Sequence, residues 1–194
     1  MKTTRTILPA VLFFASMTVL TGIVYPLLVT GIAAVVFPVQ AGGSLIRVAG
    51  DIRGSALIAQ DFTSDKFFQG RPSAASFATV PSGASNAGPL NRDLASAVAV
   101  RAAKWREQNG DIPAPPEMLY ASGSGLDPDI SLAAALAQVA RVAAARGFDD
   151  AHRAALIEYI KTNPEAAELF PAPERINVLL LNLALETDPR FTVH

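Results

Sequence analysis

The chain has 194 residues, with 16 basic and 17 acidic side chains and no cysteine, which excludes a disulfide framework, a thiolate metal site and a cysteine nucleophile. Lys2 and Arg5 precede an apolar run and every acidic residue follows Pro38, so the remainder carries 14 basic residues against 17 acidic, a net charge of −3. That balance argues against a nucleic-acid partner.

From Ile7 to Phe37 there is no charged residue, a stretch longer than the roughly 20 residues needed to cross a bilayer core. A cleaved signal peptide is the competing reading, because Val39-Gln40-Ala41 is tolerable as a cleavage site, but signal cores run only about 7–15 residues. Residues 1–38 are therefore expected to form a short cytoplasmic N-terminus and a single transmembrane helix, with residues 39–194 as one extracytoplasmic domain. Lys2 and Arg5 hold the N-terminal end inside by the positive-inside rule. Lipid alone does not call for the polar and small residues in this run. Ala15, Thr18, Gly22 and Tyr25 recur at helical spacing as one stripe, with small residues that allow close backbone approach. Tyr25 lies near the middle of the run rather than at the interface, and Pro26 removes the hydrogen bond to the Gly22 carbonyl, which another group must satisfy at membrane depth. These five residues predict a helix that packs on other membrane helices.

Beyond the membrane, residues 44–48 and 54–60 are short apolar runs separated by Gly50, Asp51 and Gly54, and read as a β-hairpin. Residues 62–89 are rich in Gly, Ser, Ala and Pro without a sustained period, and predict either a long ordered loop or a disordered segment. Asn91 caps a helix carrying Leu94, Val98, Ala102 and Trp105, which stops at Asn109-Gly110. Residues 113–116 form a proline connector. Ser131 caps a second helix ending at Arg146-Gly147, in which Gln138 and Arg141 are the only polar residues before Arg146, so the helix is expected to be largely buried. A third helix starts near Asp149 or Asp150, buries Leu156, Ile157 and Ile160, and ends before Asn163-Pro164. Residues 176–183 fit helix and strand equally, and their leucine content favours helix. The fold class is α+β: one N-terminal transmembrane helix, then a single mixed, helix-rich extracytoplasmic domain with a short β-hairpin.

Catalytic signals are weak. Gly83-Ala84-Ser85-Asn86-Ala87 approximates a nucleophile elbow, but its flanks, Pro81-Ser82 and Gly88-Pro89, deny the strand and helix that such an elbow requires. His152 is the sole candidate base or ligand apart from the terminal His194. Asp127, Asp129 and Ser131 alternate like the start of a calcium loop, yet Leu132 and Gln138 occupy the positions that need Gly and Glu. No phosphate-cradling Walker sequence is present. Ser122-Gly123-Ser124-Gly125 could offer backbone N–H groups to an anion ahead of the helix at Ser131.

Taken in order, the motifs resemble the C subunit family of the Kdp potassium-transporting ATPase. The likeness covers nearly the whole chain: Thr21-Gly22, Tyr25-Pro26-Leu27 and Thr30-Gly31, then Gly54-Ser55-Ala56-Leu57, Phe68-Gln69-Gly70-Arg71-Pro72-Ser73, Ser82-Gly83-Ala84-Ser85-Asn86 and Ser124-Gly125-Leu126-Asp127-Pro128. It continues through Gln138, Arg141, Arg146 and Ile176-Asn177-Val178-Leu179 with Asn182. Ala84 stands where the family often has Gly, and Asp129 where it often has His. The resemblance implies a non-catalytic, single-pass subunit of the bacterial cell inner membrane, with no cofactor of its own. It would assemble with a potassium-channel-like subunit and a P-type ATPase subunit in a pump that transports potassium and consumes ATP on the ATPase subunit. Family members are described as catalytic chaperones that raise ATP affinity, which makes Ser122, Gly123, Ser124 and Gly125 nucleotide-contact candidates by resemblance. The topology opposes direct contact, because ATP is cytoplasmic and these residues follow the membrane helix. A different class of reading is a membrane-anchored periplasmic serine hydrolase using Ser85.

Overall fold

The computed structural model describes residues 3–165 and 173–191, which places Lys2 and His194 outside the described residues, and the chain divides into two units, Met1–Arg53 and Gly54–His194. The first unit is dominated by a continuous helical stretch: α1 (Thr3–Val19), a π turn (Leu20–Val24) and α2 (Tyr25–Val36). It runs 30 residues from Ile7 to Val36, with a mean hydropathy of 2.2 over an unburied 18-residue window, so by length and composition the helix can cross a membrane. A π turn interrupts the α ladder at Leu20–Val24. Ahead of Pro26, the Tyr25 N–H donates to Leu20 O, five residues back, and Pro26 falls in the first turn of α2, where its missing N–H costs least. A short α3 (Pro38–Ala41) follows.

β1 (Leu45–Val48) and β2 (Asp51–Ser55) form a two-stranded sheet. Ala49 and Gly50 join them with φ of 52° and 93°, the paired positive values of a type I′ hairpin turn. The second strand is thus earlier than the expected 54–60, because two residues suffice for the turn. After Ser55 the chain bends away, with Leu57 N–H donating to Ser55 Oγ and Ile58 N–H to Ser55 O.

In the second unit, residues 56–91 contain neither helix nor strand. α4 (Arg92–Asn109) begins where Asn91 Oδ1 accepts from the N–H groups of Asp93 and Leu94, and it ends at Gly110. The proline connector contains a short helix the sequence did not announce, α5 (Pro116–Leu119). α6 (Leu132–Arg146) is capped by Ser131 Oγ and closed by left-handed Gly147, and α7 (Asp150–Thr162) is capped by Asp149. Residues 175–183 resolve the helix-or-strand ambiguity by being both: β4 (Arg175–Asn177) runs directly into α8 (Val178–Thr187). β4 pairs antiparallel with β3 (Asp129–Ser131), placing Ile130 opposite Ile176. A 3₁₀ turn, Pro189–Phe191, ends the described chain.

The core forms where α6 packs on α7 and α8 closes over them, burying Phe68, Ile130, Val142, Leu156, Leu181 and Phe191. Phe191 sits edge-on to Tyr159 and stacks on Phe148, with centroids 5.7 and 6.3 Å away. The architecture is mixed α+β, with short strand pairs subordinate to helices.

Candidate functional site

The segment around Phe68 brings an irregular chain into the core, and its peptide groups lose water on the way. Buried side chains replace that water. Asn182 Oδ1 accepts from Phe68 N–H at 2.8 Å and its Nδ2 donates to Phe68 O at 2.9 Å. Gln138 does the same one residue on, accepting from Gln69 N–H at 2.8 Å and donating to Gln69 O at 3.1 Å. Each amide side chain thereby serves as a one-residue strand partner. Arg141 extends the clamp, donating to Asp65 O, Phe67 O and Gln138 Oε1, while burial pulls its pKa down and Asp65 opposes that shift. Arg146 donates to Lys66 O and lies over the Phe67 ring. Asn177 caps α8 and donates to Ala56 O, fixing the start of the same segment. Gln138 and Arg141 stood out in the sequence as polar residues on an apolar helix. The roles of Asn177 and Asn182 carried only the weaker signal of amides interrupting a leucine run.

Three of the motifs converge on a second cluster. Ser122 N–H donates to Pro72 O, Ala59 N–H donates to Leu126 O, and Arg71 Nη1 pairs with Asp127 Oδ2 at 2.8 Å. Gly125 has φ +72°, and a Cβ built on it would stand 2.8 Å from Gly83 O and 3.4 Å from Ser73 Oγ. Only glycine fits that approach between residues 122–125 and 82–86. Within the nucleotide-contact candidates, Ser122 is buried, Gly125 N–H donates to Ser122 O, and Ser124 Oγ accepts from Leu126 N–H. Gly123 and Ser124 face solvent. Of the backbone N–H groups that could have cradled an anion, those of Ser122 and Gly125 are engaged in closing the loop.

Ser85 is exposed in a stretch without strand or helix, and its Oγ accepts from Ala87 N–H, so no strand–turn–helix elbow forms around it. His152 stacks on Phe148 and pairs through Nδ1 with Asp149, its own helix cap, at 2.6 Å. Asp127 is committed to Arg71, and Ser131 Oγ donates to Glu117 while accepting from Ala134 N–H. Asp127 and Ser131 of the calcium-like spacing therefore serve a turn and a cap. The carboxyl of Asp129, beside Asn177 Nδ2, is pushed up to about 6, first by burial and then by the charges of Glu165 and Asp127.

On the apolar helix, Thr18 Oγ1 donates back to Phe14 O at 2.8 Å and Thr21 Oγ1 to Met17 O at 2.7 Å, so both hydroxyls are satisfied within the helix. Gly22 has open space where a Cβ would stand, and Tyr25 is exposed. The stripe through Ala15, Thr18, Gly22 and Tyr25 presupposes an unbroken α period. A π turn inserts the equivalent of one residue, rotating the helix beyond it by roughly 100°. A shallow, open apolar face runs across the turn, formed by Leu12, Ala15, Ser16, Val19, Leu20 and Val24. Of the five stripe residues, Ala15 lies on it.

Comparison with known proteins places this geometry. Residues 7–187 match the family described as K+-transporting ATPase, c chain. The potassium-transporting ATPase KdpC subunit of Rhodospirillum rubrum is 50% identical over 193 residues, covering 96% of this chain and 97% of its own length. The proteins of that name from Rhodopseudomonas palustris and Pseudomonas syringae pv. tomato are 43% identical over 192 residues (92% of this chain, 94% of the relative) and 48% identical over 182 residues (93% of each). With the match running from the membrane-length helix to the end of α8, the chain belongs to the KdpC family, the c chains of potassium-transporting ATPases.

Proposed function

We propose that this chain is the non-catalytic accessory subunit of an ATP-driven potassium uptake pump, holding a potassium-channel-like subunit and a P-type ATPase subunit together. The carrying observation is the family match across residues 7–187, joined to a membrane-length helix with an open apolar face across its π turn. The helix docks a membrane-spanning helix of another subunit, with Ala15, Thr18, Gly22, Tyr25 and Pro26 in or beside the contact. Residues 39–194 lie outside the cytoplasm, and the N-terminus, with Lys2 and Arg5, lies on the cytoplasmic side of the bacterial inner membrane. The clamps around Phe68 and the closure at Gly125 support a structural role for the polar motifs, with hydrolysis carried by the ATPase subunit. Any rise in that subunit's ATP affinity is then transmitted through the assembly rather than by contact at residues 122–125.

Two measurements test this. Gly22→Leu and Ala15→Phe, each inserted at wild-type level, are expected to lose partner subunits on purification of the complex, and unchanged subunit composition in both would sink the docking role. A cysteine introduced at exposed Ser124, in a chain that has none, is expected to react with an impermeant reagent from the outside of intact cells. Labelling only after lysis would invert the topology and reopen direct nucleotide contact.

A further inference from the structure

The charge-free run does not end with the membrane-length helix. After Arg5 the next charged residue is Arg47, inside β1. The 30 helical residues Ile7–Val36 measure about 45 Å, against a bilayer core of about 30 Å, or about 40–45 Å with both headgroup layers. With Lys2 and Arg5 at one interface, Val36 emerges at the headgroup level of the other, and tilt draws it deeper. The chain gains little distance beyond it. Phe37 N–H donates to Ala33 O, Gly42 N–H to Pro38 O and Gly43 N–H to Gln40 O, so each step closes a turn. Ser44 N–H then donates to Val39 O at 2.9 Å, which sets the start of β1 beside a residue close to the helix end. The helix and the hairpin as far as Arg53 also belong to one unit.

The surface of the hairpin suits that level. Phe37 and Val39 are exposed, and so are Leu45 and Ile52, at 46% and 52%. Exposure alternates along β1, with Leu45 and Arg47 exposed and Ile46 and Val48 half-buried. The two-residue turn of Ala49 and Gly50 sets Arg47 opposite Ile52, so Leu45, Arg47 and Ile52 share one face. Arg47 Nη1 donates to Gly50 O at 3.4 Å, and Arg47 makes no ion pair among the described residues. Its aliphatic stem covers apolar surface while the guanidinium fork reaches a phosphate. The occupant of this face is lipid, because the face is continuous with the segment that crosses the bilayer.

We infer that the β1–β2 hairpin is an interfacial anchor lying on the bilayer at the end of the membrane helix, with Leu45 and Ile52 at the headgroup–acyl boundary and Arg47 on a phospholipid phosphate. The inference rests on the helix crossing the bilayer and is independent of subunit docking.

A chain without cysteine accepts single nitroxide labels. Leu45→Cys, Ile52→Cys, Ile23→Cys in the helix and Ser124→Cys, all at exposed positions, are made in the full-length chain and reconstituted in phosphatidylethanolamine–phosphatidylglycerol vesicles. Electron paramagnetic resonance compares the collisions of each label with oxygen, which concentrates in lipid, and with a water-soluble nickel chelate. The oxygen-to-nickel ratio at Leu45 and Ile52 is expected to exceed that at Ser124 by about threefold or more and to stay below that at Ile23. Arg47→Glu is expected to lower the ratio at Ile52 about twofold, and Arg47→Lys to preserve it. Nickel-dominated collisions at both hairpin positions, with Ile23 oxygen-dominated, would overturn the anchor and leave the span standing. Water-like collisions at Ile23 as well would remove both. Shielding of both hairpin labels from both reagents would mean that protein covers the face, and a ratio unmoved by Arg47→Glu would remove the phosphate contact; either result overturns the assignment.

Discussion

Replacing Asn182 by alanine tests whether the amide clamp holds the irregular segment in the core. Two hydrogen bonds to Phe68, at 2.8 and 2.9 Å, are removed, and Phe68 itself is completely buried. A hydrogen bond whose groups return to water contributes only about 1 kcal/mol net, but here the Phe68 N–H and C=O stay buried without partners, at about 1–3 kcal/mol each. The expected loss is about 3–5 kcal/mol, a large share of the 5–15 kcal/mol typical of a folded domain. Urea denaturation of the full-length chain in detergent, followed by Trp105 fluorescence, measures it, and limited proteolysis between residues 73 and 90 should accelerate in parallel. Asn182→Asp keeps an acceptor for Phe68 N–H but sets a buried carboxylate oxygen against Phe68 O, so it is expected to cost at least as much as alanine near neutral pH. Thr79→Ala, on the exposed part of the same loop, is the control and should change stability by less than about 0.5 kcal/mol. A cost below about 1 kcal/mol for Asn182→Ala, with proteolysis unchanged, would refute the view that the clamp supports the segment.

Gly125→Ala places a methyl group 2.8 Å from Gly83 O at a φ of +72°, and a loss of about 2–3 kcal/mol in thermal or urea unfolding is expected. Asp129 offers a pH signature. Its carboxyl is raised from 3.8 to about 6, so the folded state holds the proton more tightly than the unfolded chain does. The stability this contributes is complete below pH 3.8 and is lost as pH rises through about 6. Asp129→Asn, which retains an acceptor for Asn177 Nδ2, is expected to stabilise the protein by about 1 kcal/mol at pH 7.5, after discounting for the partial solvent exposure of the group. Unfolding midpoints measured from pH 4.5 to about pH 7.5 should fall less in the variant than in wild type; parallel profiles would contradict the assignment.

Several features were legible in the residues because they are settled within one turn or one run. Asn91, Ser131 and Asp149 each cap the next helix, accepting from N–H groups two or three residues on, and Gly147 takes the left-handed conformation at the end of α6. Such contacts need only local geometry, which spacing and residue type encode. The membrane-length helix is likewise a matter of length and apolarity. Its stripe was less secure, because stripe arithmetic assumes an α period and the π turn before Pro26 changes it.

Other features depended on partners far away along the chain. β3 and β4 are three residues each, too short to show a period, and they exist because Asp129–Ser131 meets Arg175–Asn177. Gln138 reads as an isolated polar residue on an apolar helix until the chain brings Gln69 to it, and Asn182 finds Phe68 across a separation of 114 residues. The approach of Gly125 to Gly83 has the same origin. The residues by themselves determined the anchor, the principal helices and their ends, and the family likeness. Tertiary structure alone decided which buried polar groups satisfy one another, because hydrogen bonds between distant segments leave no period in the sequence.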